Sequence, residues 1–196
     1  MNKNIVIAHD VGTSGVKSAL VDTNGSILYQ ATHPYPFYTP QPGWAEQDPI
    51  DYWNAIVSNT KKLTEQIDKN QILGIVFSTQ AMGVIPVDKK GNVLRRNISW
   101  VDGRAEEQAR WMMSLFGGRA VFKSFLGIEI TGKDVIPKLR WLKHREPEIY
   151  NNTHKVLDVN GYLRFKATGD MAAEWSGASS WARVFIIIFT PPFEAA

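Results

Sequence analysis

The 196-residue chain contains no cysteine. That absence excludes disulfide frameworks, thiolate metal sites and cysteine nucleophiles together, and it fits a reducing, cytoplasmic location. An excess of charge of one sign is lacking too: 22 Lys and Arg stand against 19 Asp and Glu, for a net charge of +3, and the charges are interspersed. Such a balance leaves no electrostatic footprint for a nucleic-acid partner. Long apolar runs are also missing. The longest, residues 184–189, has six members and is followed by Thr190, Pro191 and Pro192, whereas a membrane span needs about 20. The first apolar run, residues 5–8, stops at His9 and Asp10, too soon for a signal-peptide core. No membrane partner is expected. His9, His33, His144 and His154 show no His-x-x-x-His or His-Glu-x-x-His spacing, which speaks against zinc. His9 is read as structural, because on a strand its side chain points away from the face of Asp10.

The residues present suit a globular core, with 44% hydrophobic and 21% charged. Residues 5–8 and 16–21 read as strands separated by a Gly-rich turn. Asn24-Gly25 favours a tight reversal into a third strand over 26–32. Four prolines between residues 33 and 43 predict an extended surface loop. Asp48-Pro49 reads as an N-cap followed by a first-turn proline, opening a helix that runs to Asn70. Strands are predicted over 72–77, 83–87, 92–98 and 156–159, and helices over 104–116, 135–145 and 162–167. On the helix over 135–145, Lys138, Arg140, Lys143 and Arg145 read as a solvated face. The fold class is α/β with antiparallel hairpins. Residues 184–196 carry one charged residue, Glu194. An apolar strand of that kind invites self-association, so a homodimer is an expected arrangement.

The sharpest chemical signal is Asp10-Val11-Gly12-Thr13-Ser14-Gly15-Val16-Lys17, lying between two predicted strands. Backbone N–H groups at Gly12 and the hydroxyls of Thr13 and Ser14 can converge on a terminal phosphate. Asp10 would then hold Mg²⁺ through water, and Lys17 would offset phosphate charge. The pattern is neither a Walker A loop nor Gly-x-Gly-x-x-Gly. A polar hairpin turn capped by an aspartate is the competing reading.

The order of motifs resembles the FGGY family of carbohydrate kinases, in the actin-like and hexokinase-like ATPase superfamily. The segment from Asp10 to Lys17 is similar to that family's first phosphate loop, above all to the version in xylulokinases. Next come Pro42-Gly-Trp-Ala-Glu-Gln-Asp-Pro49, Gly74-Ile-Val-Phe-Ser-Thr-Gln80 and Asn97-Ile-Ser-Trp-Val-Asp-Gly-Arg-Ala105. Lys138-Leu-Arg-Trp-Leu-Lys-His-Arg-Glu-Pro147, Asn160-Gly-Tyr-Leu-Arg-Phe-Lys-Ala-Thr-Gly169 and Glu174-Trp-Ser-Gly-Ala-Ser179 follow in family order. The resemblance implies a ribonuclease-H-like N-terminal domain over residues 1–180, with a mixed sheet and flanking helices, that binds the sugar and the terminal phosphates of ATP. It implies a second domain for adenosine, carrying the aspartate base, that this chain does not include. Residues 181–196 form an atypical tail with no similarity.

The implied activity is ATP-dependent, Mg²⁺-dependent phosphorylation of a hydroxyl on a small sugar, most naturally a ketopentose such as xylulose, with this chain alone inactive. The alternative is a non-catalytic sugar- or phosphate-binding module, or a self-associating fragment. In the substrate loop, glycerol kinases place Arg-Glu, and xylulokinases Met-His, where this chain has Ala81-Met82. Gln80 offers an amide to a sugar hydroxyl, or is a strand-end turn residue. Trp100 supplies an apolar wall, or is a core aromatic, the commoner place for tryptophan. Asp102 would supply a carboxylate acceptor. Trp44 and Glu46 either flank the sugar or pack against the helix start.

Overall fold

A computed structural model describes residues 4–126 and 129–172; the segments 174–179 and 181–196 lie outside the described residues. Alternation of apolar and polar residues builds the first hairpins. In β1 (Ile5–Val11), Ile5, Ile7, His9 and Val11 are buried and Asp10 is exposed. β2 (Gly15–Asp22) pairs with β1 antiparallel, and β3 (Ile27–Pro34) pairs with β2 in the same sense. The Asn24-Gly25 reversal holds: Gly25 has φ 87°, and the Asp22 carboxylate accepts from the Asn24 and Ser26 amides.

A short strand, β4 (Glu46–Gln47), precedes helix α1 (Pro49–Thr64), whose N-cap Asp48 accepts from the Ile50 amide. The helix ends six residues before Asn70, and a single 3₁₀ turn over Lys69–Gln71 leads into β5 (Ile72–Thr79). β5 runs parallel to β1, so the sheet is mixed, with order β3-β2-β1-β5. One face of this sheet packs on α1. Tyr52, Ala55 and Ile56 of the helix meet Val11 and Val16, and Leu63 meets Ile5, Ile7 and Leu20. Asn59, wholly buried, donates to Val16 O and Ser18 Oγ at 3.1 and 2.9 Å. His9 sits in this layer, bonded to Ser18 Oγ at 2.8 Å and stacked on Phe77. Burial lowers its pKa to about 4, so it is neutral at pH 7. That is the structural role its position in the strand predicts.

Beyond β5 the chain forms β6 (Ile85–Val87), β7 (Asn97–Ile98), α2 (Glu106–Ser114) and α3 (Arg119–Leu126). Then come α4 (Val135–Arg145), α5 (Pro147–Asn152), β8 (Lys155–Leu157) and α6 (Val159–Thr168). β7 pairs with β4, and β8 with β6, in two small antiparallel sheets. Several expectations are corrected here. The strand over 92–98 survives only at its end, because its polar residues Arg95 and Arg96 turn toward ion-pair and aromatic partners. Gly117 and Gly118, both at positive φ, end α2 and also admit α3, which periodicity did not reveal. Pro147 stops α4 and opens α5. Lys138 is fully buried rather than solvated. No described helix is long and apolar enough to cross a membrane.

Candidate functional site

Because β1 and β5 are parallel neighbours, the chain leaves both at the same edge of the sheet. The Gln80 amide donates to Val11 O at 3.0 Å, which carries the pairing one step past the strands. Between the two exits lies a cavity of about 310 Å³. Asp10, Val11, Gly12 and Thr13 form one wall, and Thr79, Gln80, Ala81 and Met82 the other. Trp100, from the turn after β7, closes the side. Clefts beyond the carboxyl ends of parallel strands are the common ligand sites of open α/β sheets.

The Gly12–Gly15 turn is short and closed, with the Gly12 amide donating to Gly15 O at 3.1 Å. Gly15 is there for want of space: a Cβ would lie 2.6 Å from His33 O and 2.9 Å from the Pro34 Cα on β3. Side chains from the segment between β3 and α1 hold the turn. The Tyr35 hydroxyl donates to Gly12 O, and Gln47 Nε2 donates to Thr13 O at 2.8 Å. Burial, reinforced by the Asp10 charge, raises the pKa of Tyr35 and keeps it a hydrogen-bond donor. Trp100 Nε1 donates to Thr13 Oγ1 at 3.1 Å and ties the third wall to the first. With 39% of its surface exposed, Trp100 belongs to the cavity and not to the core.

Gln80 is fixed through its nitrogen. Nε2 donates to Gln47 Oε1 at 2.9 Å and lies 3.4 Å from the Tyr52 hydroxyl, which in turn accepts from Asn97 Nδ2 at 2.9 Å. Gln80 Oε1 is buried with no hydrogen-bond partner. Gln80 itself lines the cavity, and because an unsatisfied buried polar atom costs about 1–3 kcal/mol, a small turn of its amide toward a hydroxyl donor in the cavity would relieve that cost.

The structure brings together Asp10, Gly12, Thr13, Gln80, Ala81, Met82 and Trp100 on one cavity. Ser14 and Lys17 are exposed near it without lining it. Lys17 is the cross-strand partner of Asp10, so the two side chains share a sheet face. Asp102 is a correction. It is wholly buried, and its carboxylate accepts from the Ala45 amide at 2.5 Å, the Arg104 amide at 2.9 Å and Arg104 Nη2 at 2.8 Å. No lone pair is left for a sugar. Trp44 and Glu46 are likewise support: Glu46 pairs with Arg95 and with Arg104 at 2.8 Å, and Trp44 packs edge-on against Trp141 of α4.

Tyr35 and Tyr52, which hold the walls, carry no local sequence signal, while Gln47 and Asn97 lie in the family-like segments 42–49 and 97–105 without being marked there as supports. Lys138 did carry one. It stands three residues after Val135 and four before Leu142, both buried, and so lies on the apolar stripe of α4. Among the described residues, no three His, Asp or Glu side chains gather as a metal cluster.

The family model described as "FGGY family of carbohydrate kinases, N-terminal domain" matches residues 5–184. Xylulose kinase of Staphylococcus epidermidis is 34% identical over 184 residues, covering 92% of this chain and 36% of that protein. Gluconokinase of Bacillus subtilis is 28% identical over 171 residues, covering 87% of the chain and 33% of the relative. A crystal structure of a xyloylose kinase from Brucella ovis superposes with a TM-score of 0.81 at 30% identity, covering 90% of this chain and 37% of that one. The chain thus spans about a third of the length of the curated relatives it matches.

Proposed function

The chain belongs to the FGGY family of carbohydrate kinases, and from that premise we propose that its cavity is the sugar and phosphate side of a phosphoryl-transfer site. The observation that carries the reading is the convergence of the Gly12–Thr13 turn, the Gln80–Met82 strip and Trp100 on one cavity at the ends of β1 and β5. The Gly12 and Thr13 turn, with Ser14 and Lys17 on its flank, takes the terminal phosphates of ATP. Gln80 Oε1 accepts from a sugar hydroxyl, Trp100 covers a sugar face, and Ala81 and Met82 bound the pocket.

Mg²⁺ fits the donors present. This ion keeps most of its waters and is held by one or two carboxylates together with substrate phosphates. Asp10, exposed on the cavity wall beside the turn, is such a carboxylate. When bound, the ion would neutralise phosphate charge. Phosphoryl transfer asks the protein mainly for positioning and electrostatic complementarity: the sugar oxygen bonds to the terminal phosphorus, the bond to ADP breaks, and the hydroxyl proton passes to a base. In this reading the base is an aspartate of a second domain.

Xylulose kinases and gluconokinases both stand among the relatives, and the charge of the lining supports a choice between their substrates. Among the described residues, the cavity wall holds one carboxylate, Asp10, and no Lys or Arg. A neutral sugar is therefore favoured over an aldonate, whose carboxylate would meet Asp10 on the wall with only the flanking Lys17, which this reading assigns to the phosphates, to offset it. Within neutral sugars, a ketopentose such as xylulose is the choice this reading makes. Thermal-shift titration with xylulose, gluconate and glycerol tests it. Xylulose at 100 times its Kd stabilises the chain by about 2.7 kcal/mol, while gluconate at the same concentration does not. A larger shift with gluconate would overturn the choice of substrate, and no shift with any sugar would overturn the site.

A further inference from the structure

Lys138 is one of the largest fully buried side chains in the protein, and a buried ammonium requires a reason. It rises from the first turns of α4, and its Nζ donates to two backbone carbonyls, Ser99 O at 2.8 Å and Met82 O at 3.3 Å. Ser99 immediately precedes Trp100. Met82 ends the Gln80–Met82 strip, and it is the one described non-glycine residue at positive φ, 57°. An L-residue in that region is strained and persists only where its surroundings fix it. Two of the three walls of the cavity, the Gln80–Met82 strip and the Trp100 side, are therefore tied to the same charged nitrogen.

We infer that Lys138 is a positioning residue that sets the placement of Trp100 and Met82 across the cavity without touching its ligand. The consequence for sugar affinity rests on the sugar reading of the cavity; the placement itself does not. Other charges bear on the ammonium from several elements. Burial lowers its pKa to about 8, Asp102 and Asp134 draw it up, and Arg104 and Lys133 press it down. Below pH 8 the charged form grips both carbonyls. Above it, the neutral amine donates more weakly.

The experiment follows the Trp100 indole N–H resonance of the full chain by ¹H–¹⁵N NMR, assigned with Trp100→Phe, together with sugar Kd by calorimetry. Lys138→Met keeps the unbranched stem, one atom shorter, and removes the charge and the donors. It is expected to shift the Trp100 indole resonance and to weaken xylulose binding at least about tenfold, the loss expected of charge-assisted hydrogen bonds. Wild type is expected to show the same indole displacement as pH rises from 7 to 9.5, with a midpoint near 8. Lys138→Met shows no such step. A merely structural lysine would lower the melting temperature and leave the indole resonance and its pH profile unchanged; that result overturns the inference. If Lys138→Met fails to fold, the wild-type pH profile decides alone, and a flat profile overturns the inference. Wild type that binds no sugar would remove the sugar reading, while the indole resonance would still decide the role of Lys138.

Discussion

Asp102→Asn separates a sugar-binding carboxylate from a structural one. The side chain keeps its shape, yet one oxygen becomes an NH₂ group. Asp102 Oδ2 accepts from Ala45 N and from Arg104 Nε and Nη2 at 2.5, 3.0 and 2.8 Å, and Oδ1 accepts from the Arg104 amide and Nε, both at 2.9 Å. Either orientation of an asparagine amide sets its donors against donors. The Arg104 side chain, 0% exposed and with Nη1 already unpartnered, would keep a hydrogen bond to the remaining amide oxygen but only Glu46, at 2.8 Å, as a charged partner. Two charge-assisted hydrogen bonds are worth about 1.5–3 kcal/mol each, and uncovering a buried charge costs about 3–5 kcal/mol. A loss of about 3–5 kcal/mol follows. For a domain of this size that corresponds to a fall in Tm of roughly 6–20 °C. Urea unfolding of wild type, Asp102→Asn, Arg104→Met and the double variant measures it. The two changes should couple by about 2 kcal/mol, because Arg104 is costly only when Asp102 no longer faces it. A loss below about 1 kcal/mol, accompanied by abolished sugar binding, would refute this reasoning and restore Asp102 as a sugar acceptor.

His9 gives an acid limb. Its folded pKa of about 4 lies below the ordinary 6.5, so the unfolded chain binds the extra proton between those values, and stability falls as pH drops from 6.5 to 4. The integrated effect is at most about 3 kcal/mol; His9→Gln should flatten this limb in urea titrations, and an unchanged limb would remove His9 from the account. On the proposed reading, in a two-domain protein that carries this domain, Asp10→Asn should lower kcat at least about 100-fold, or about 2.7 kcal/mol of transition-state stabilisation, with little change in Tm. Near-normal turnover would reduce Asp10 to a turn residue.

What the sequence made legible was local. Asp48-Pro49 announces α1 because the cap and the fixed proline φ act within one turn, and Asn24-Gly25 announces a reversal for the same reason. The Gly12–Gly15 turn and Gln80 were legible as residue types at strand ends. Their convergence came from pairing β1 with β5 across 60 intervening residues, which no local pattern encodes. Asp102 shows the limit most plainly. In sequence it is a polar residue two places after an aromatic in a Gly-containing turn, equally suited to solvent, sugar or a buried ion pair. What decides among these is Arg104 lying over Trp44 and Trp141, at 3.8 and 4.9 Å, and covering the carboxylate from solvent.

Lys138 failed for a different reason. Reading charge as exposure ignored its place on the Val135–Leu142 stripe, where the pattern already turned a lysine inward. A cation on an apolar helix face is either an error of assignment or a group with a polar target in the core. Here the targets are carbonyls behind Trp100 and Met82. Asp102, through Ala45 N and Arg104, braces the same turn from the other side. The buried charges thus belong to the scaffold of the cavity, and its open wall is left to groups of low charge: an amide, an indole, a thioether and the single carboxylate of Asp10. Such a division suits a neutral polyhydroxy ligand, whose hydroxyls need orienting acceptors and an apolar face more than a counter-charge.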